Sequence, residues 1–115
     1  MLSIVSTPIG NLGDITLRAI ETLKTCEAIV CEDTRRTGQL LVSLEIPKKP
    51  LLSLHGYSDE RAIAQILEKL KKGEHLALVS DAGTPGISDP GFALVSEAAK
   101  MNVKIEVVPG PAAFL

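Results

Sequence analysis

Apolar residues along the chain gather in five short blocks: LSIVS (2–6), EAIVC (27–31), PLLSL (50–54), HLALV (75–79) and KIEVV (104–108). Each is about strand length, and most run apolar on consecutive positions. That is the pattern of strands covered on both faces. Between the blocks the period changes from consecutive to helical. Leu17, Ile20 and Leu23 space out one face after Asp14, and Thr37, Leu40, Leu41 and Leu44 do so after Asp33. Ile63, Ile66, Leu67 and Leu70 repeat the pattern, opened by Ser58-Asp59-Glu60 and closed by Gly73. Glu68 and Lys72 sit one turn apart on its charged side, spaced for an ion pair. Phe92, Val95 and Ala98–Ala99 predict a fourth helix, with Asp89 as N-cap and Pro90 at the first helical position.

The predicted order is βαβαβαβαβ. Crossovers of this length require parallel strands and right-handed connections, so the fold class is α/β, one parallel sheet with helices on both faces. In such sheets ligands bind along the edge formed by the carboxyl ends of the strands. The loops expected there are STPIGNLGD, EDTRRT, HGYSD, SDAGTPGISDPG and PGPAA, and they hold most of the Gly and Pro. The loops of the opposite edge, KTC, EIPKK, KKG and MN, are plainer.

Composition narrows the classes. The chain has 115 residues, the size of one domain, and 45% of them are hydrophobic. Tyr57, Phe92 and Phe114 are the only aromatics, too few for a base-stacking platform. A net charge of −2 predicts that the chain alone holds RNA or DNA weakly. Cys26 and Cys31 have no second pair or nearby histidine to complete a zinc site, and read as small buried hydrophobes of a reducing compartment. No apolar run reaches membrane-spanning length, and Met1 leads straight into a strand, so neither a membrane segment nor a signal peptide is expected.

The stretch from Asp81 to Gly91, DAGTPGISDPG, is the most unusual. Its glycines let backbone approach a ligand, its prolines fix the path, and Ser80, Asp81, Thr84 and Ser88 can line a crevice. Capping accounts for Ser88 and Asp89 but leaves 81–86 unexplained, which favours a ligand site. The first loop, 7–14, lacks both glycine-rich phosphate fingerprints, so a phosphate cradle is not expected there. Asp14 serves equally well as a turn and cap or as a ligand contact. Glu32 and Asp33 end the second strand. Asp33 reads as a helix cap, while Glu32 stays open as a base or polar contact. Arg35 and Arg36 form the one short basic cluster on this edge. His55 ends the third strand, either as a base or as a loop histidine with no chemical task. Pro109 to Ala113 give a wall of small residues or a tight turn.

Taken together and in order, TPIGNLGDIT, CEDTRRT, SLHGYSD, VSDAGTPGISDPG and VVPGPAA resemble the small-subunit ribosomal RNA cytidine 2′-O-methyltransferases of the tetrapyrrole-methylase superfamily, across the whole chain. The resemblance implies the N-terminal domain of that fold, a five-stranded parallel sheet in the order 3-2-4-1-5. It implies S-adenosylmethionine as methyl donor, held between this domain and a second, C-terminal α/β domain that this chain does not include. Donor contacts would map to Pro8, Leu12, Ser80, Asp81, Ala82, Gly83, Thr84, Ile87, Ala112 and Ala113. Thr84 stands where the tetrapyrrole enzymes carry an aspartate, which argues against a tetrapyrrole substrate. Asp81, with Glu32 and His55 behind it, is the candidate for orienting the donor or easing deprotonation. Arg35 and Arg36 are candidates for RNA phosphates. The resemblance further implies small-subunit ribosomal RNA as partner, a homodimer, a cytoplasmic location and no metal. The fragment alone is expected to be inactive and to bind donor poorly. Two other readings stay open: a methyltransferase of the superfamily with a tetrapyrrole or protein substrate, and a non-catalytic binding or dimerisation domain.

Overall fold

The computed structural model describes residues 1–7, 14–54, 60–81 and 89–109, and at 81, 89 and 90 the backbone alone. Nine elements alternate along it: β1 (Leu2–Thr7), α1 (Leu17–Thr25), β2 (Ala28–Cys31), α2 (Thr34–Ser43), β3 (Leu51–Ser53), α3 (Glu60–Lys71), β4 (Leu76–Asp81), α4 (Asp89–Lys100) and β5 (Ile105–Val108). The strands form one sheet in the order β3-β2-β4-β1-β5, and every pairing is parallel. All five apolar blocks are therefore strands, in the expected order. β1 and β4 share the longest register, from Leu2 opposite Leu76 to Thr7 opposite Asp81.

Strand alternation divides the core into two layers. Leu2, Ala28, Val30, Leu76 and Leu78 pack under Ile63, Ile66 and Leu70 of α3 and Leu94 and Ala98 of α4. Val5, Ile29, Ala77 and Val108 pack under Ala19 and Leu23 of α1 and Leu41 of α2. The central strands are buried from both sides, which is why their sequences run apolar without alternation. Each fully covered Leu or Ile there contributes roughly 1.5–3 kcal/mol by leaving water. Cys26 and Cys31 are buried free thiols, as expected, and Cys26 belongs to the second layer.

Two helices turn differently from their apolar spacing. In α1 the sheet side is Ala19, Thr22 and Leu23, while Leu17 is 85% exposed. Its N-cap is Thr16, whose hydroxyl accepts the Ala19 N–H at 3.1 Å, rather than Asp14. In α4 the fully buried residues are Leu94 and Ala98, and Phe92 is 66% exposed. Of the expected Phe92, Val95 and Ala98–Ala99, Ala98 does face the sheet, while Phe92, Val95 and Ala99 mark a flank. That helix also starts at Asp89, one residue before the expected Pro90. Of the four positions expected along one side of the second helix, Thr37 and Leu41 are buried, and Leu40 and the C-cap Leu44 are half-buried. α3 matches its pattern most closely, with Ile63, Ile66 and Leu70 buried. On its polar side Lys69 approaches Glu74 at 4.0 Å, and no Glu68–Lys72 pair is formed among the described residues.

The edge where the strands begin is closed by hydrogen bonds. α2, α3 and α4 end in Glu45, Gly73 and Asn102, all with positive φ. The N–H groups that follow them, of Ile46, Glu74 and Val103, return to the carbonyls of Leu41, Lys69 and Ala98 at 2.9–3.2 Å. This is the six-to-one bond of a Schellman ending. α1 is closed instead by Lys49, whose ammonium donates to the carbonyls of Lys24 and Cys26. The Met1 ammonium donates to the Glu74 carbonyl at 3.0 Å, and Ser3 Oγ lies 2.8 Å from His75 Nε2.

Candidate active site at the carboxyl ends of the strands

Parallel pairing brings residues far apart in sequence to one rim. The register places Ser6 beside Ser80, Thr7 beside Asp81 and Val5 beside Val108. Leu54, after β3, donates its N–H to the Cys31 carbonyl at 2.8 Å, which ties the end of β3 to the end of β2. The Thr7 hydroxyl donates to the Ser80 carbonyl at 3.1 Å. That bond fixes the two central strands relative to each other at the point where their loops depart. Thr7 is buried, and Ser6 and Ser80 are half-buried side by side. Both serines lie on the α3/α4 side of the sheet, by alternation with Ile4 and Leu78.

Glu32 follows β2 directly and is exposed, one residue beyond the buried Cys31. Asp33 is the N-cap of α2, as its position predicted: its carboxylate accepts the Arg36 N–H at 3.0 Å. Arg35 and Arg36 are exposed in the first turn of the same helix, so Glu32 and both arginines stand together at this rim. Burial holds the Cys31 thiol above its ordinary value despite a hydrogen bond with Thr37, so it is no thiolate nucleophile. Among the described residues no group of His, Cys, Asp and Glu is arranged to hold a metal ion.

Of the residues expected at the site, Ser80, the backbone of Asp81, Glu32, Arg35 and Arg36 are brought to the one rim. Pro8, Leu12, His55, Ala82, Gly83, Thr84, Ile87, Ala112 and Ala113, with the Asp81 side chain, lie outside the described residues. Sequence reasoning passed over Thr7 and Ser6. The one available signal was their position, the last two residues of a central strand. It also passed over His75 at the opposite rim, whose only clue, Ser3, is 72 residues away.

A model of the family Tetrapyrrole (Corrin/Porphyrin) Methylases matches residues 1–115. Over 111 residues the chain is 52% identical to ribosomal RNA small subunit methyltransferase I of Mycoplasmopsis pulmonis, covering 96% of this chain and 50% of that protein. It is also 52% identical over 113 residues to the protein of the same name from Thermotoga maritima, covering 98% and 50%. The chain thus spans about half the length of these relatives. Among solved structures it is similar to cobalt precorrin-4 methyltransferase, with a TM-score of 0.75 at 20% identity over 97% of this chain and 46% of that one. It is similar to uroporphyrin-III-C-methyltransferase from Thermus thermophilus, with a TM-score of 0.71 at 18% identity over 97% and 48%. These structural likenesses concern the fold. With the family model spanning every residue, the chain belongs to the tetrapyrrole methylase family.

Proposed function

We propose that this chain forms one wall of the active cleft of an S-adenosylmethionine-dependent methyltransferase acting on a cytidine ribose 2′-hydroxyl of small-subunit ribosomal RNA. The observation that carries the proposal is the 52% identity to relatives named as small-subunit ribosomal RNA methyltransferases. A second α/β domain of similar size forms the other wall, in keeping with relatives twice as long. The site acts in a soluble, cytoplasmic homodimer.

The chemistry of the rim suits this donor. It offers an exposed carboxylate at Glu32, the position of Asp81, two half-buried serine hydroxyls and no phosphate fingerprint. These groups can hold a cationic, phosphate-free ligand, while Arg35 and Arg36 beside Glu32 carry the positive charge that RNA phosphates need. S-adenosylmethionine supplies an electrophilic methyl group on a sulfonium sulfur. Ser80, Asp81, Ala82, Gly83, Thr84 and Ile87, with Pro8, Leu12, Ala112 and Ala113, would hold it. The work left to the protein is positioning, exclusion of water and help in removing the hydroxyl proton. Positioning alone can contribute roughly 7–11 kcal/mol in favourable cases. Asp81 is the first candidate to orient the donor or receive the proton, and Glu32 and His55 follow. Arg35 and Arg36 contact RNA phosphates, which fixes the strand without reading its sequence.

The test is Asp81→Asn in a protein of the relatives' length, with ribose methylation and donor affinity measured separately. A loss in either is expected. Unchanged values for both would remove Asp81 from the site. Calorimetry of residues 1–115 with donor is expected to show weak binding, and tight stoichiometric binding would refute the two-wall cleft.

A further inference from the structure

Helix α4 is apolar on two sides. Leu94 and Ala98 are fully buried against the sheet, while Phe92, Val95 and Ala99 repeat at i, i+3 and i+7 on another side. Asp89, Glu97 and Lys100 are its only charged residues. A helix apolar on more than its sheet side is normally covered on more than one side.

Handedness fixes where the second side points. Right-handed crossovers place α3 and α4 on the same face, with α4 nearer β5. Advancing 100° per residue down a right-handed helix that runs antiparallel to the strands, Ala93 and Glu97 turn toward α3. Val95 turns the other way, over the edge of β5, and Ala99 and Phe92 lie further round on that same flank, facing outward. On that strand Ile105 and Val107 share the same face, and Val107 is 64% exposed beside the buried Ile4. Among the described residues no strand pairs with the outer edge of β5.

We propose that this apolar strip is covered by polypeptide that follows Leu115, packing an apolar face on Phe92, Val95, Ala99, Ile105 and Val107 and against the free edge of β5. The proposal rests on the second-domain reading above and adds to it the surface on which the added chain docks. Two observations select this occupant. Pro109 leaves β5 at the Val107 end of the strip, and relatives about twice as long carry more chain to place. The strip is also small, five side chains and a four-residue strand. A stable complex between separate molecules needs about 800 Å² per partner from some 20–30 residues. A tethered segment needs far less, because its effective concentration is already in the millimolar range or above.

The experiment compares two chains, residues 1–115 and the same sequence continued to the relatives' length. Phe92→Cys, Val107→Cys and, as control, Val42→Cys are made in both and reacted with a water-soluble maleimide. Val42 is 78% exposed on α2, away from the strip, and the native Cys26 and Cys31 are buried. In the longer chain, labelling at 92 and 107 is expected to slow at least about tenfold while labelling at 42 is unchanged. Equal rates in the two chains would overturn the proposal. So would slow, concentration-dependent labelling of residues 1–115, because the occupant would then be a second copy. A longer chain that labels as expected but transfers no methyl group would sink the functional reading and leave this one standing.

Discussion

At the rim where the strands begin, α2, α3 and α4 end in left-handed residues, and Lys49 closes α1. The Met1 ammonium is tied to Glu74 and Ser3 to His75. At the rim where the strands end, the sequence places most of its glycines and prolines in longer loops, and the bonds among the described residues include Thr7 to Ser80, Leu54 to Cys31, Ala19 to Thr16 and Arg36 to Asp33. One rim satisfies its own polar groups. At the other, among the described residues, Glu32, Asp33, Arg35 and Arg36 are exposed. On the proposed function, stability and chemistry belong to opposite ends of the same strands. Substitutions at the first rim should change folding, and substitutions at the second should change binding.

The largest effect tests the strand that joins them. Leu76 is fully buried at the start of β4, and Leu76→Ala should cost about 2–5 kcal/mol of unfolding free energy in a urea titration. A loss below 1 kcal/mol would show that the first rim is not where the fold is held. The next concerns Ser3, which is also fully buried. His75→Ala removes the partner of its hydroxyl and should cost about 1–3 kcal/mol, whereas Ser3→Ala with His75→Ala together should cost less than the sum of the two.

The same pair gives a pH dependence. Burial, and secondarily the neighbouring Met1 ammonium, lowers the His75 pKa, against the smaller opposing pull of Glu106 and Glu27. A histidine with a lowered folded pKa stabilises the fold above its unfolded value of about 6.5, and that contribution is lost as pH falls below it. The urea midpoint should therefore drop between about pH 7 and pH 5.5, and His75→Gln should flatten that part of the curve. A midpoint that rises on acidification over this window would reverse the assignment.

Two smaller effects sharpen the contrast. Lys49→Met should destabilise by about 1 kcal/mol, because the carbonyls at the end of α1 lose their cap. Glu106→Gln breaks an ion pair with Arg18, whose side chain is 59% exposed, and should change stability by no more than about 1 kcal/mol, with 0.5 M salt narrowing the difference.

Much of this was legible in the sequence, for reasons that differ between elements. β1, β2 and β4 were readable because strands buried on both faces leave consecutive apolar residues, and the partly exposed edge strands β3 and β5 were readable from their short apolar runs. Asp33 was readable as a cap because a cap acts on its own helix three residues on. The strand order entered through family resemblance, since local pattern carries no such information. What stayed hidden was set by distant partners. Leu17 and Phe92 have helical spacing, yet the sheet selected Ala19–Leu23 and Leu94–Ala98, because spacing defines a stripe without saying which stripe the sheet takes. Ser3–His75 and the Lys49 cap join residues 72 and 23–25 positions apart, and neither has a local signature. At the candidate site, Glu32, Ser80 and the arginines could be assigned to one rim from loop order. Thr7 became visible only once β1 and β4 were side by side.

The most direct test of the central claim is an amide chemical-shift map of the isotope-labelled, relatives'-length protein titrated with S-adenosylmethionine. The account predicts that the largest shifts fall on Ser6, Thr7, Ser80, Asp81 and Val108, at the carboxyl ends of three adjacent strands. Shifts centred on Glu27, Glu74, His75 and Lys104, with Thr7 and Ser80 unmoved, would place the ligand at the wrong rim and contradict it.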